Sequence, residues 1–212
     1  MSVSESLNLP SSPRQFVPQS TLPDGEPYET FIARTGQVPT RETLHDFFNG
    51  LVWHTEPALK ARMNQLQAEA IACDGISARR GPLRDALTLF DENGALLDAP
   101  PALIVLLRQR DWRRLFITQR ALWRQARLTI VGHALLEQLT VAPRKSLTAH
   151  VLLGDALQLD AADWKGKPFL PLPVLGVPDW WPANEDAAFY DDASVFRPAR
   201  KMATPNAGPC GH

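Results

Sequence analysis

Cysteine is nearly missing from this 212-residue chain: Cys73 and Cys210 stand far apart, without metal-ligand spacing. That excludes a disulfide-built scaffold and a cysteine-ligated zinc site, and it points to a reducing, cytoplasmic setting. An excess of one charge sign is missing too. Lys and Arg total 22 against 23 Asp and Glu, so the whole chain is neither a strongly basic nor a strongly acidic binder. Long apolar runs are absent as well. The longest, residues 99–107, contains two prolines and is far shorter than the roughly 20 residues of a membrane-spanning helix. Residues 1–27 are rich in Ser and Pro and lack the apolar core of a secretory signal. There is no G-x-S-x-G elbow, no P-loop and no G-x-G-x-x-G fingerprint after a strand, so hydrolase-triad and nucleotide-loop chemistries have no support.

What is present is an ordinary globular composition, 44% hydrophobic and 21% charged, ample for one self-sufficient core. The expected organisation is a flexible segment over 1–27, a single globular domain over 28–200 and a disordered tail over 201–212. Within the domain, residues 166–198 are punctuated by proline and read as an extended wrapping arm. Trp164, Trp180, Trp181, Phe189, Tyr190 and Phe196 would anchor it. No internal repeat is found.

Periodicity predicts a helix over 40–53, capped by Thr40, with Leu44, Phe47, Phe48, Leu51 and Val52 as its buried stripe. A second helix starts near Pro57, passes through Leu59, Met63, Leu66 and Ala70, and stops before Gly75. Residues 76–83 read as a loop. Residues 86–90 read as a strand closed by an Asp91-Glu92-Asn93-Gly94 turn, with Gly94 at positive φ. Helix follows over 102–110, then one or two amphipathic helices over 111–127. A strand at 127–131, a helix from His133 to Leu139 and a strand at 147–153 complete the reading. The fold class is α+β, helix-rich, with a short sheet.

Chemistry-bearing residues cluster in four places. On the first helix, Glu42, His45, Asp46, Asn49 and Trp53 share the face opposite the apolar stripe, and His45 and Asn49 are neighbours at i, i+4. A tryptophan on a face that should be wet implies that this side is covered, so its polar groups need partners. His133 and Glu137 repeat the i, i+4 spacing, the geometry of half a metal site. Asp91 and Glu92 end the strand-like segment, and His150 sits in the later strand. Gathered at element ends, His45, His133, His150, Asp91 and Glu137 would ligate a divalent metal such as Zn, Mn or Fe. Glu92 would act as general base, and Asp46 and Asn49 would orient and complete the pocket. Against this stands a plainer account, in which each group only ties its helix to a neighbouring loop.

A further feature is basic. Arg108, Arg110, Arg113, Arg114, Arg120, Arg124 and Arg127 face one acid, Asp111, on a stretch whose apolar residues are Trp112, Leu115, Phe116, Leu122 and Trp123. Such a face suits nucleic acid or an acidic partner protein. The eight acids between residues 155 and 192 would neutralise it if the arm packs over it.

The His-Asp dipeptide at 45–46 prompts comparison with metal phosphohydrolases of the HD type, but no histidine precedes His45, and that pattern fails. The runs LHDFFNGLVW (44–53), RDALTLFDENGALL (84–97), GHALLEQL (132–139) and PLPVLGVPDWWPANEDAAFYDD (171–192) resemble another family. It is a proteobacterial domain of unknown function, number thirty twenty-five in its series. The resemblance covers nearly the whole ordered region and implies a single-domain cytosolic bacterial protein with no assigned activity. The favoured expectation is a metal-dependent hydrolase acting on a small molecule, away from membranes; the alternative is a non-catalytic binding module using the 108–127 stretch.

Overall fold

A computed structural model describes residues 1–75 and 81–199. In chain order the elements are α1 (Val3–Leu7), β1 (Gln15–Pro18), α2 (Tyr28–Thr35), β2 (Gln37–Thr40), α3 (Leu44–Thr55), α4 (Pro57–Asp74) and α5 (Pro82–Asn93). They continue with β3 (Gly94–Asp98), α6 (Pro101–Gln109), β4 (Arg127–Ile130), α7 (His133–Val141), β5 (Thr148–Leu153), α8 (Ala161–Lys165) and β6 (Leu170–Pro173). Four strands form one sheet in the order β4-β3-β5-β6. Its central pair, β3 and β5, is parallel, and the flanking pairs are antiparallel. β1 and β2 make a separate parallel pair. The fold is α+β and helix-rich, and among the described residues no helix is long and apolar enough to cross a membrane.

The segment expected as a strand at 86–90 is the middle of helix α5. Pro82 occupies its first turn, where the missing N–H costs nothing. Leu83, Ala86, Leu87 and Phe90 are its buried residues, at i, i+3, i+4 and i+7. Five apolar-leaning residues fit either period; the proline start and twelve-residue length decide for helix. Asp91 and Glu92 therefore lie in the last helical turn, not in a loop. Gly94 has φ −74°, so it is not the left-handed residue expected. What requires glycine there is crowding: a Cβ would sit 2.4 Å from the Phe90 carbonyl oxygen.

Gly94 also meets Gly132. The Gly94 carbonyl accepts from the N–H of Val131 at 3.0 Å and of Gly132 at 2.8 Å. A Cβ on Gly132 would lie 2.5 Å from both Asn93 Cα and Gly94 N. The start of α7 is thereby pressed against the end of α5.

Other departures have equally local causes. Helix α3 begins at Leu44, because Thr43 rather than Thr40 is its N-cap, its side chain accepting from the Asp46 N–H. Thr40 closes β2. The buried side of α3 is Asp46, Gly50, Val52 and Trp53, while Leu44 is 55% exposed and Leu51 36%; the tryptophan marked the covered face. The N-terminal segment carries regular structure: Leu7 packs on Gly50 and Phe16 is buried with it beside Trp53. Of the loop read over 76–83, residues 76–80 lie outside the described residues and Pro82 and Leu83 open α5; the tail read over 201–212, with residue 200 before it, lies outside them too.

Residues 108–127 are not one helix. Helix α6 is capped by Arg110, a left-handed residue at φ 51°, and a π-helical turn over Arg114–Thr118 and a 3₁₀ helix over Arg120–Gln125 follow in place of the one or two amphipathic helices expected over 111–127. Trp112, Leu115, Phe116 and Trp123 are buried, with Leu122 packed against them. In the 166–198 segment Leu172, Val174, Leu175, Val177, Tyr190 and Phe196 join the same core. Trp180 stays 38% exposed. That segment places Glu185 against Arg120, whereas Arg108, Arg113, Arg114, Arg124 and Arg127 are exposed.

The Gly94–Gly132 crossing makes a sharp prediction. Gly132→Ala has only backbone to push against and is expected to destabilise by about 3 kcal/mol. Gly50→Ala meets only the end of the Leu7 side chain and is expected to cost clearly less in urea unfolding.

Candidate functional site

Because α7 abuts the end of α5, its first residue, His133, faces the last turn that carries Asp91 and Glu92. Helix α3 packs along α7 and brings His45 over His133, with ring centroids 4.4 Å apart and planes at 74°. The two Nε2 atoms are 2.9 Å apart. Glu92 Oε2 stands 3.6 Å from His133 Nε2. His45, His133 and Glu92 each bring a ligand atom to within 4.8 Å of one another.

The far side of each imidazole faces a carboxylate. His45 Nδ1 is 3.2 Å from Glu137 Oε2. His133 Nδ1 is buried without a hydrogen-bond partner, and the nearest carboxylate oxygen, Asp91 Oδ2, stands 3.6 Å away. Both carboxylates favour a proton on Nδ1, which turns both Nε2 lone pairs toward the same point. At 2.9 Å the two Nε2 atoms either share a proton in an N–H···N hydrogen bond or share a cation. Two nitrogens on one tetrahedral zinc stand about 3.3 Å apart, so the spacing and the donor set fit a metal ion. Burial, the largest influence, holds the His133 imidazole below its ordinary value, with Lys60 and His45 adding to it against Asp91 and Glu92. That direction favours the neutral ring that a metal ligand must have.

Behind the histidines runs a chain of partners. Lys60, on α4, is buried and places Nζ 2.5 Å from Asp91 Oδ1 and 2.8 Å from Asn49 Oδ1. Asn49 Nδ2 donates to the Tyr28 hydroxyl at 3.2 Å. Burial works to raise the Asp91 carboxyl, but Lys60, then His133, prevail and hold it below its usual range. Asp46 resists the same burial through its bonds to Arg41: its carboxylate takes the Arg41 backbone N–H at 2.6 Å and Nη2 at 2.8 Å. Among the described residues Glu29 has no such cation at contact distance. Burial pushes its carboxyl up, although Asn64 donates to it at 2.5 Å.

These groups open into one cavity of about 510 Å³, lined by Tyr28, Glu29, Arg41, Asn49, Gln67, Arg84 and Thr88 as well as by His45, Asp46, Asp91, Glu92 and His133. The structure therefore gathers most of the residues singled out in the sequence but redistributes them. Glu92, expected as a base, stands with the two histidines as a third donor. Asp91 and Glu137, expected as ligands, instead face the outer ring nitrogens. Asp46 is engaged by Arg41 rather than by His45. His150 is elsewhere: it lies on β5 opposite Gly94 and Pro171, its ring 5.9 Å from Phe169. Burial, then Lys167, lowers its imidazole.

Sequence reasoning missed Lys60, Tyr28, Glu29, Gln67 and Arg84. A signal existed on α4, where Lys60, Asn64 and Gln67 recur at i, i+4 and i+7 among the buried residues. A polar stripe flanking the Leu59 and Leu66 side of the helix marks a second covered face.

The profile of the family described as "Protein of unknown function (DUF3025)" matches residues 14–164 and 153–200. Neither the curated proteins nor the solved structures yield a match.

Lys60 is the tightest test of the partner chain. Lys60→Met leaves Asp91 without its cation and is expected to cost about 3 kcal/mol. In Lys60→Met/Asp91→Asn the loss should be less than the sum of the single losses, measured by a double-mutant cycle in urea.

Proposed function

The chain belongs to the DUF3025 family, and for this member we propose a mononuclear metal-dependent hydrolase. The observation that carries it is the pair of Nε2 atoms 2.9 Å apart, beside the Glu92 carboxylate, with a carboxylate behind each ring. His45, His133 and Glu92 would hold the ion, a two-histidine, one-carboxylate set that suits zinc, manganese or iron(II) and leaves positions open. Glu137 and Asp91 would fix ring orientation and basicity. The metal would supply an activated water and polarise the bond to be cleaved. Tyr28, whose hydroxyl is raised by burial above its ordinary value, stays protonated; it and Asn49 would donate to the charge that develops on the substrate. A cavity this polar fits a small polar substrate.

Metal analysis of the purified protein by plasma mass spectrometry tests the reading. About one equivalent of a single transition metal is expected, falling below about 0.1 in His45→Ala and Glu92→Gln, given the affinity of such sites. His150→Ala should retain the full amount. Wild-type protein without metal, and incapable of taking it up, would overturn the proposal.

A second reading is favoured by the five exposed arginines of the 108–127 stretch: a surface for nucleic acid or an acidic protein partner. Filter binding to single- and double-stranded nucleic acid should then weaken steeply with salt. Retention that is absent, or insensitive to salt, rules out nucleic acid.

A further inference from the structure

Helix α5 presents more to the cavity than its two terminal acids. Arg84, Thr88, Asp91 and Glu92 all line it, at i, i+4, i+7 and i+8 on one face of the helix. The apolar residues Leu83, Ala86, Leu87 and Phe90 hold the opposite face in the core. One continuous stripe therefore runs from the metal-ligand end of the cavity to a guanidinium. At the helical rise, the Arg84 Cα lies about 12 Å from that of Glu92.

The cations in and behind this cavity are not equivalent. Lys60 is held by Asp91 and Arg41 by Asp46. Arg84 forms no ion pair among the described residues. Its Nε is buried with no hydrogen-bond partner. A buried guanidinium N–H left unpaired is costly, and Arg84 lines the cavity as a cation that no carboxylate of the described residues holds at contact distance. Glu29, which lines the same cavity, feels Arg84 electrostatically but more weakly than Lys60, makes no ion pair with it among the described residues, and is hydrogen-bonded by Asn64 and Gln67.

We infer that Arg84 is an oxyanion-binding subsite, and that the substrate is an elongated molecule with its cleavable bond at the His45–His133–Glu92 end and a carboxylate or phosphate at the other. This rests on the hydrolase reading above. Guanidinium suits both anions through paired N–H donors. The helix spacing sets the requirement for length: a small anion reaching Arg84 would leave the metal end unoccupied. Arg84 would be a binding residue, acting on substrate choice and not on bond cleavage.

A graded series of linear hydroxamic acids tests this without knowledge of the substrate. The hydroxamate chelates the metal, and the far end carries a carboxylate, its methyl ester or a phosphonate. Binding is followed by calorimetry on metal-loaded protein, with metal content measured on the same samples. At one chain length the carboxylate or the phosphonate should bind about tenfold more tightly than the ester, matching one charge-assisted contact. Whichever anion gains more identifies the substrate class. In Arg84→Gln that advantage should vanish while ester affinity and metal content are kept; Arg84→Lys should restore part of it. Anion and ester binding alike at every length, on protein that holds its metal, overturns the subsite alone. Protein that takes up no metal overturns the hydrolase reading and the subsite with it.

Discussion

Two glycines in backbone contact set the geometry on which the site depends. Where α5 ends and α7 begins, the Gly94 carbonyl takes two N–H groups from residues 131 and 132, at a distance no side chain would permit. That contact puts His133 beside the acids of the preceding helix end. It also satisfies backbone groups that a helix terminus would otherwise leave open. A site built on helix ends fixed in this way is held by the main chain, and its side chains need only their rotamers.

Around this junction the protein has buried an unusual amount of polarity. Lys60, Asn64, Gln67, Asp46 and His133 are all buried, and each has a partner drawn from another segment or another turn. Fully satisfied networks of this kind rigidify and specify an interior. Among the described residues the buried polar atoms left without a hydrogen bond are Thr30 Oγ1, Trp53 Nε1, Trp164 Nε1, His133 Nδ1 and Arg84 Nε; the last two belong to residues that line the same cavity.

The second face of the molecule follows different rules. Around the four-stranded sheet, Phe116 stacks against Trp112, Trp123 and Tyr190, and the segment after β6 closes over them. Arginines of the 108–127 stretch stand outside this aromatic core, and the acid-rich segment meets them at Arg120.

How much of this was legible depended on the range of the interaction. Helix α4, the strands at 127–130 and 148–153 and the helix opening at His133 were readable, because proline starts, glycine stops and hydrophobic period act within a few residues. Trp53 betrayed a covered polar face for the same reason. The 86–90 segment was misread because five residues fit both periods, and the twelve-residue face that settles it includes charged positions whose burial is tertiary. The chain alone determined which chemistry was available: imidazoles and carboxylates at i, i+4 or adjacent positions on three helices. Only the packed structure decided that His45 and His133 meet while His150 does not, that Glu92 turns inward with them, and that Lys60 neutralises Asp91. Those outcomes depend on contacts between residues dozens of positions apart, which no local spacing encodes.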